Sequence, residues 1–184
     1  MQPSIAQARL AVAVGSTDHI DGSADAAVTL VEYGDFQCPS CGAAHPIVQQ
    51  VREALGDRLR FVYRHFPLSQ MHEYAFGAAE AAEAAGAQGK FWEMHDMLFE
   101  NQEALSEQDL LSYAADLGLD VDRFASDLND GTFDEKVRHD FMGGVKSGVN
   151  GTPTFFINGV RHDGSWEGNS LLEAIERAEA GTGD

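Results

Sequence analysis

The stretch EYGDFQCPSC, residues Glu32–Cys41, contains the only two cysteines of this 184-residue chain. It overlaps the end of VTLVEY, Val28–Tyr33, a nearly continuous apolar run rich in β-branched residues that is typical of a strand buried on both faces. Residues Cys38–Leu55 follow with apolar positions at helical spacing, and Pro39 falls in the first turn, where a missing N–H costs nothing. The cysteine pair is therefore expected at the start of a helix that follows a buried strand.

The neighbouring segments predict an α/β fold. Residues Arg58–Phe66 have the pattern of a second strand, and a strand–helix–strand order makes its two strands parallel. A third strand is predicted at Thr152–Gly159, where the Asn158-Gly159 pair is typical of a hairpin turn that leads into a return strand. Residues Leu171–Ala180 form a predicted closing helix.

The two halves of this core are separated by an alanine-rich segment with helical periodicity. Four helices are predicted in it, near Glu73–Ala85, Lys90–Asn101, Ser106–Leu117 and Val121–Lys146, the last with a break at Gly131. We therefore expect three parts, namely an N-terminal arm at 1–27, a core formed by 28–67 and 148–184, and an inserted helical domain at 68–147. The helical part carries 17 acidic and 5 basic side chains, so it presents an acidic surface.

Composition narrows the classes of partner. The chain has 30 acidic and 12 basic residues and a net charge of −18, which repels phosphate backbones, so we expect no nucleic-acid partner. The longest apolar runs, such as Leu10–Val14, are far shorter than the roughly 20 residues needed to span a bilayer, so we expect no membrane insertion. No secretory signal is recognisable. The chain as written is expected in the cytoplasm, or in the periplasm or outside the cell if it is a trimmed mature form.

The position of the cysteines indicates redox chemistry. A helix N-terminus carries partial positive charge and unpaired N–H groups, and both stabilise a thiolate. Two thiols three residues apart across the first helical turn are close enough to form a disulfide. Cys38 lies at the exposed end and is expected to be the nucleophile. Cys41 points back into the helix and is expected to resolve a mixed disulfide.

Other uses of the pair remain open at this point. His45, four residues after Cys41, gives three possible zinc ligands together with the two cysteines, but a closed structural site needs four, so zinc would have to bridge a dimer. Two inert core cysteines are a further alternative, which the intervening proline disfavours. A peptide-binding or chaperone module would not need an intact pair, and a glutathione-linked transferase usually lacks the second cysteine.

Four features together resemble the DsbA-type thiol–disulfide oxidoreductases of the thioredoxin superfamily. The CPSC motif follows a buried strand, and Pro46 lies five residues after the second cysteine. The segment GTPTFFING matches the one that carries the family's cis-proline, here Pro153. The helical segment also lies between the second and third core strands. The resemblance covers the chain from about Val28 onward and implies a thioredoxin-like fold with a helical insertion.

The resemblance also implies roles for individual residues. Pro153 would lie beside Cys38, and Thr152 would pair with an extended substrate chain through main-chain hydrogen bonds. Glu32 would be a buried acid with a raised pKa that moves a proton to or from the second cysteine, although a purely structural acid is the alternative. Phe36 would line a shallow apolar docking surface.

One position departs from the family pattern. Strongly oxidising members have a histidine just before the second cysteine, whereas this chain has Ser40 after Pro39. A hydroxyl holds a thiolate less well than a histidinium, so we expect a less oxidising couple, for which reduction or isomerisation is as plausible as oxidation. The implied substrates are protein or peptide thiols and disulfides. The resemblance implies that no cofactor is needed beyond the dithiol. It also implies a redox partner, not yet identified, that returns the cysteine pair to its starting oxidation state.

Overall fold

The computed structural model describes residues 6–181, so the first five residues of the predicted N-terminal arm lie outside the described part. It has five strands and seven α-helices there. They are β1 His19–Asp21, β2 Val28–Gly34, α1 Pro39–Leu55, β3 Leu59–His65, α2 Ala75–Gly86, α3 Phe91–Glu100, α4 Glu107–Asp116, α5 Val121–Asn129, α6 Asp134–Lys146, β4 Thr154–Ile157, β5 Val160–Arg161 and α7 Ser170–Gly181.

The five strands form one mixed sheet in the order β1-β3-β2-β4-β5. Strands β2 and β3 are parallel and are joined through α1, which confirms the predicted strand–helix–strand unit. Strand β4 returns antiparallel to β2, with Tyr33 opposite Thr154. Because β2 lies in the centre of the sheet, the loop that follows it emerges between its two neighbours, and the cysteine motif lies in that loop and the start of α1.

Alternating side chains of β2 and β3 supply two apolar cores, one on each face of the sheet. Leu30, Phe61 and Tyr63 belong to the larger core, which also contains buried residues of α1, α3 and α7. Val31 and Val62 belong to the smaller core on the opposite face. Burial on both faces explains why β2 appears in the sequence as an almost continuous apolar run.

Five helices, α2 to α6, lie between β3 and β4 in the chain. The segment predicted as one broken helix forms α5 and α6, with Gly131 between them at a φ of +62°, in the left-handed region that glycine adopts readily. At the other predicted turn, Asn158 and Gly159 have φ values of +48° and +80° and connect β4 to β5. Both predicted turns are therefore confirmed.

Buried charged groups on β3 and α2 tie the N-terminal segment to the sheet. Arg64 donates to both carboxylate oxygens of Asp18, at 2.8 and 2.9 Å. The carboxylate of Glu83 is within hydrogen-bond distance of His19 Nε2, at 2.6 Å, and of His65 Nε2, at 2.9 Å. Burial alone would raise the pKa of Glu83, but these hydrogen bonds outweigh burial and lower it. Within residues 6–181, no helix is long and apolar enough to cross a membrane.

The start of α4 provides a test of local helix stabilisation. Ser106 accepts a hydrogen bond from the backbone N–H of Asp109, and the Asp109 carboxylate accepts one from the backbone N–H of Ser106. Ser106→Ala should lower the free energy of unfolding by about 1 kcal/mol because it leaves an N–H of the first turn without its partner. Ser112→Ala, at an exposed position inside the same helix, is the matched control and should change stability little. Urea unfolding of both variants measures the difference, and equal effects would contradict the role of the cap.

Candidate active site

The cysteine motif begins where β2 ends. Cys38 is the N-cap residue of α1, with extended backbone angles, and its side chain makes no capping hydrogen bond. Pro39 occupies the first helical turn, and both Pro39 and Ser40 are exposed. The thiol of Cys38 therefore lies at the positive end of a 17-residue helix, beside the backbone N–H groups of its first turn.

Asp35 holds the loop that leads into α1. One of its carboxylate oxygens accepts from the backbone N–H groups of Gln37, at 2.8 Å, and of Cys38, at 3.2 Å. The other accepts from the backbone N–H of Leu68, at 2.9 Å, and lies 2.7 Å from Nδ1 of His72. This carboxylate is almost fully buried and fixes the motif against the loop after β3. Asp35 is absent from the predicted site residues, although an Asp that accepts from the backbone N–H two residues later is a common turn signal.

The environment of Cys38 stabilises its thiolate. When protonated, the thiol of Cys38 donates to the carbonyl oxygen of Thr152, which lies 3.6 Å from Sγ. The pKa of the thiol is nevertheless lowered to about 5, chiefly by a hydrogen bond from Cys41, with further contributions from the side chain of Thr152 and from the backbone N–H groups of Ser40 and Cys41 that outweigh partial burial. Ser40 thus acts on the thiolate through its backbone N–H. Cys38 is 7% exposed, more covered than its position at the end of a helix suggests.

Cys41 has the opposite environment. It is fully buried, and burial raises its pKa well above the ordinary value, with the hydrogen bond to Cys38 and the charge of Glu32 acting in the same direction. Glu32 is buried too, and burial raises its pKa to about 8, so it carries a proton at neutral pH. Tyr63, also buried, has a raised pKa because of burial and the same carboxylate. The side of the site towards the sheet therefore has three groups whose charged forms are disfavoured.

Thr152 and Pro153 complete the surface beside Cys38. The peptide bond between them is cis, and both residues are half-buried just before β4. Because β4 pairs with β2, the segment that precedes β4 is brought to the loop that follows β2. The structure thus places Thr152 and Pro153 next to the cysteine pair, across more than 110 residues of sequence.

Phe36 does not lie where the sequence analysis placed it. It is 1% exposed and packs in the larger core, with its ring centroid 4.8 Å from that of Phe99 and 5.2 Å from that of Tyr63. A side chain so deeply buried cannot line a docking surface, so that prediction is wrong. Phe36 instead supports the loop from beneath.

An open apolar groove lies beside the motif and offers the kind of docking surface that was predicted for Phe36. It has a volume of about 830 Å³ and is lined by residues of the loop after β3, of α2 and of α6, which include Pro67, Leu68, Met71, Phe141 and Met142. Met71 and Met142 are 76% and 50% exposed. The groove adjoins the motif because the backbone of Leu68 is bound to Asp35.

The inserted helices contact the motif through Gln102, which follows α3. Its Nε2 donates to the carbonyl oxygens of Phe36, at 2.9 Å, and of Cys38, at 2.8 Å. Gly42 leaves room for this side chain, since a Cβ there would lie 2.1 Å from Oε1 of Gln102. No signal in the sequence connects a glutamine 64 residues away with the motif.

Comparisons with known proteins agree with this geometry. The family model described as Thioredoxin matches residues 15–177. A solved thioredoxin-like oxidoreductase from Silicibacter pomeroyi DSS-3 is 30% identical, with a TM-score of 0.77 over 90% of this chain and 94% of its own. BdbD from Bacillus subtilis is 25% identical, with a TM-score of 0.78 over 89% and 94%. Wolbachia pipientis alpha-DsbA1, at 22% identity and a TM-score of 0.78, shares the fold. The resemblance to DsbA-type proteins and the predicted thioredoxin-like fold are confirmed.

Curated relatives are similar over nearly the same range. A Na(+)/H(+) antiporter NhaA 1 from Salinispora arenicola is 52% identical over 167 residues, which cover 90% of this chain and 25% of the antiporter. A protein of the same name from Mycobacterium sp. (strain KMS) is 45% identical over 161 residues, or 86% of this chain and 26% of its own length. The chain thus spans about a quarter of the length of the curated relatives it matches.

The first prediction from this site concerns the titration of Cys38. The rate of alkylation by iodoacetamide should rise through a midpoint near pH 5, against about 8.5 for an ordinary cysteine, because the thiolate is the nucleophile. Cys41→Ala should move the midpoint upwards, since it removes the hydrogen bond that lowers the pKa most. A midpoint above pH 7 in the unsubstituted protein would contradict the assigned environment.

The second prediction concerns the buried acid. The pKa of Glu32 is about 8 in the folded protein against an ordinary 4.5, so the folded state holds a proton that the unfolded state has lost between these pH values. This contribution to stability is complete below pH 4.5 and is lost as the pH rises through 8. At about 1.4 kcal/mol per pKa unit, the loss between pH 5 and pH 8 is on the order of 4 kcal/mol.

Urea unfolding at pH 5 and pH 8 measures this loss. The background should be Cys38→Ser/Cys41→Ser, because the lowered pKa of Cys38 gives a pH dependence of opposite sign. Glu32→Gln, which mimics the protonated acid, should equal its parent at pH 5 and exceed it in stability at pH 8. Glu53→Gln, at an exposed position, is the control. If the difference in unfolding free energy between the Glu32→Gln variant and its parent is the same at pH 5 and at pH 8, the assignment is disproved.

Proposed function

The chain belongs to the Thioredoxin family, and from this premise we propose that it exchanges disulfides with protein substrates through Cys38 and Cys41. The observation that carries the proposal is the unequal environment of the two thiols. Cys38 has a pKa lowered to about 5, whereas the pKa of the buried Cys41 is raised. One thiol is thus suited to attack or to be attacked, and the other to resolve the intermediate.

The proposed reaction in the oxidising direction starts from the Cys38–Cys41 disulfide. A substrate thiolate attacks Sγ of Cys38, a mixed disulfide forms, and Cys41 leaves as a thiolate that takes up a proton. A second substrate thiolate then attacks the substrate sulfur of the mixed disulfide and releases Cys38 as a thiolate. Two electrons pass from the substrate dithiol to the pair, and the reducing direction is the same sequence reversed.

We assign the proton transfer to Glu32. Its carboxyl is protonated at neutral pH, and in its ionised form its charge would raise the pKa of Cys41 further. A buried leaving thiolate whose pKa is well above the ordinary value needs a proton, and Glu32, with a pKa of about 8, is the stronger acid in the same buried region. In the reducing direction the carboxylate would take the proton back before Cys41 resolves the mixed disulfide.

Two neighbouring surfaces are suited to hold the substrate. The main chain of Thr152, before the cis peptide bond to Pro153, faces Cys38 and offers strand-type hydrogen bonds to an extended peptide. The apolar groove with its exposed Met71 and Met142 offers a deformable surface for apolar side chains of the substrate. We therefore propose unfolded or extended protein segments as substrates. The chemistry requires no cofactor beyond the dithiol, and a second redox partner must restore the starting state.

The curated relatives favour a more specific partner as a second candidate. These relatives are named sodium–proton antiporters, and this chain is similar to about a quarter of their length. We propose that the dithiol acts on cysteines of such a transporter. Mass spectrometry of mixed disulfides trapped in membranes by the Cys41→Ser protein tests this role: antiporter peptides linked to Cys38 support it, and their absence in cells that express the transporter contradicts it.

Cysteine variants separate the proposed roles of the two thiols. With a reduced two-cysteine peptide and glutathione disulfide, Cys38→Ser should lower exchange to the uncatalysed rate, because the reactive sulfur is gone. Cys41→Ser should instead accumulate a stable mixed disulfide, visible as a mass shift on the intact protein, because the resolving thiol is missing.

The matched control is Ser126→Ala, a change of a small polar side chain in α5 away from the motif, which should exchange at the normal rate. Undiminished exchange by the Cys38→Ser protein would contradict the assignment of the nucleophile. Rapid resolution of the mixed disulfide in the Cys41→Ser protein would contradict the role of the second thiol.

A further inference from the structure

A cluster outside the redox pair joins α1 to α3. His45 of α1 and His95 of α3 are 7% and 2% exposed, and their ring centroids are 5.5 Å apart. Asp96, next to His95, has one carboxylate oxygen 2.9 Å from Nδ1 of His95 and 3.8 Å from Nε2 of His45. Two imidazoles and a carboxylate thus converge between the helix that begins at the redox pair and the inserted helices.

Two polar atoms of this cluster lack partners. Nε2 of His45 and Nε2 of His95 are buried without a hydrogen bond among the described residues. A buried nitrogen without a partner is costly, and native structures usually satisfy such groups or use them. Since the reacting groups of the thiol exchange are the two cysteines and Glu32, that chemistry gives neither nitrogen a role.

We propose that His45, His95 and Asp96 bind one zinc ion. One ligand atom from each of the three residues lies within 4.8 Å of the others. Zinc bound at about 2.0–2.1 Å in tetrahedral geometry separates its ligands by about 3.3 Å, so the ligand atoms need to approach one another by at most about 1.5 Å. Imidazole and carboxylate are ligand types that zinc accepts, and three protein ligands leave the fourth position to water.

The surroundings give a zinc ion access from solvent and supply negative charge to balance its own. Asp96 is 38% exposed, so the cluster has a route to solvent beside two otherwise buried rings. Glu100 adds a second negative charge that acts on His45. The nearby cation is Arg52, whose charge is engaged by an ion pair with Asp21.

The proposed site differs from a zinc site built on the cysteine pair. The converging group contains neither cysteine, so oxidation of the pair would leave its ligands intact. An ion here would fasten the inserted helices to the helix that carries the dithiol, next to the existing contact of Gln102 with Cys38. Zinc binding should therefore raise the thermal midpoint of the whole chain without removing the free thiols.

The test uses the full chain with Cys38→Ser/Cys41→Ser, so that no thiol can bind the metal. After chelator treatment, zinc is titrated in competition with a chromogenic chelator, and cobalt is used as a spectroscopic probe of the ligand set. We expect one zinc per chain, a raised thermal midpoint, and cobalt absorption typical of nitrogen and oxygen ligands. Asp96→Asn and His45→Gln should each weaken zinc binding at least about tenfold.

Matched controls and a folding check keep the test decisive. His139→Gln and Asp122→Asn, at exposed positions away from the cluster, should bind zinc as their parent does. Circular dichroism of each metal-free variant checks that it is folded. Because Asp96 is partly exposed, Asp96→Asn still tests the proposal if the His45→Gln protein does not fold. The proposal is overturned if the parent binds less than half an equivalent of zinc, or if binding survives Asp96→Asn unchanged.

Discussion

The site depends on how the loop that leads into α1 is held. Because Asp35 binds the backbone N–H groups of Gln37 and Cys38, it fixes this loop and places the sulfur of Cys38 at the positive end of the helix. The same carboxylate holds the loop after β3 through Leu68 and His72. One buried acid thus sets the position of the nucleophile and links it to the groove beside it.

From that arrangement the difference between the two thiols follows. Cys38 lies at the positive end of the helix, whereas Cys41, one helical turn later, is fully buried near the protonated Glu32. The environment stabilises the charge on the first sulfur and disfavours it on the second. A stabilised thiolate favours the reduced form of the pair, and it is this preference that sets how strongly the disulfide oxidises a substrate.

The sequence predicts the framework of this fold well because its signals are local. The apolar run of β2 and the Asn158-Gly159 turn each act over a few residues, and the structure confirms both. Burial is less predictable, because a flanking aromatic such as Phe36 can face solvent or core depending on contacts made far along the chain. Gln102 shows this limit most clearly, since its two hydrogen bonds to the motif exist only once the inserted helices have packed.

The reduction potential of the Cys38–Cys41 pair, measured by equilibration with glutathione buffers and mass analysis of free thiols, tests the central claim most directly. Dithiol proteins whose reactive cysteine has a pKa of about 7 and of about 3.5 have potentials near −270 and −120 mV, respectively. A pKa of about 5 places this pair between them, at about −190 mV. A value in that range supports a thiolate stabilised by the helix start and by Cys41. A value at or below −270 mV, or a pair that forms no disulfide, would contradict the account.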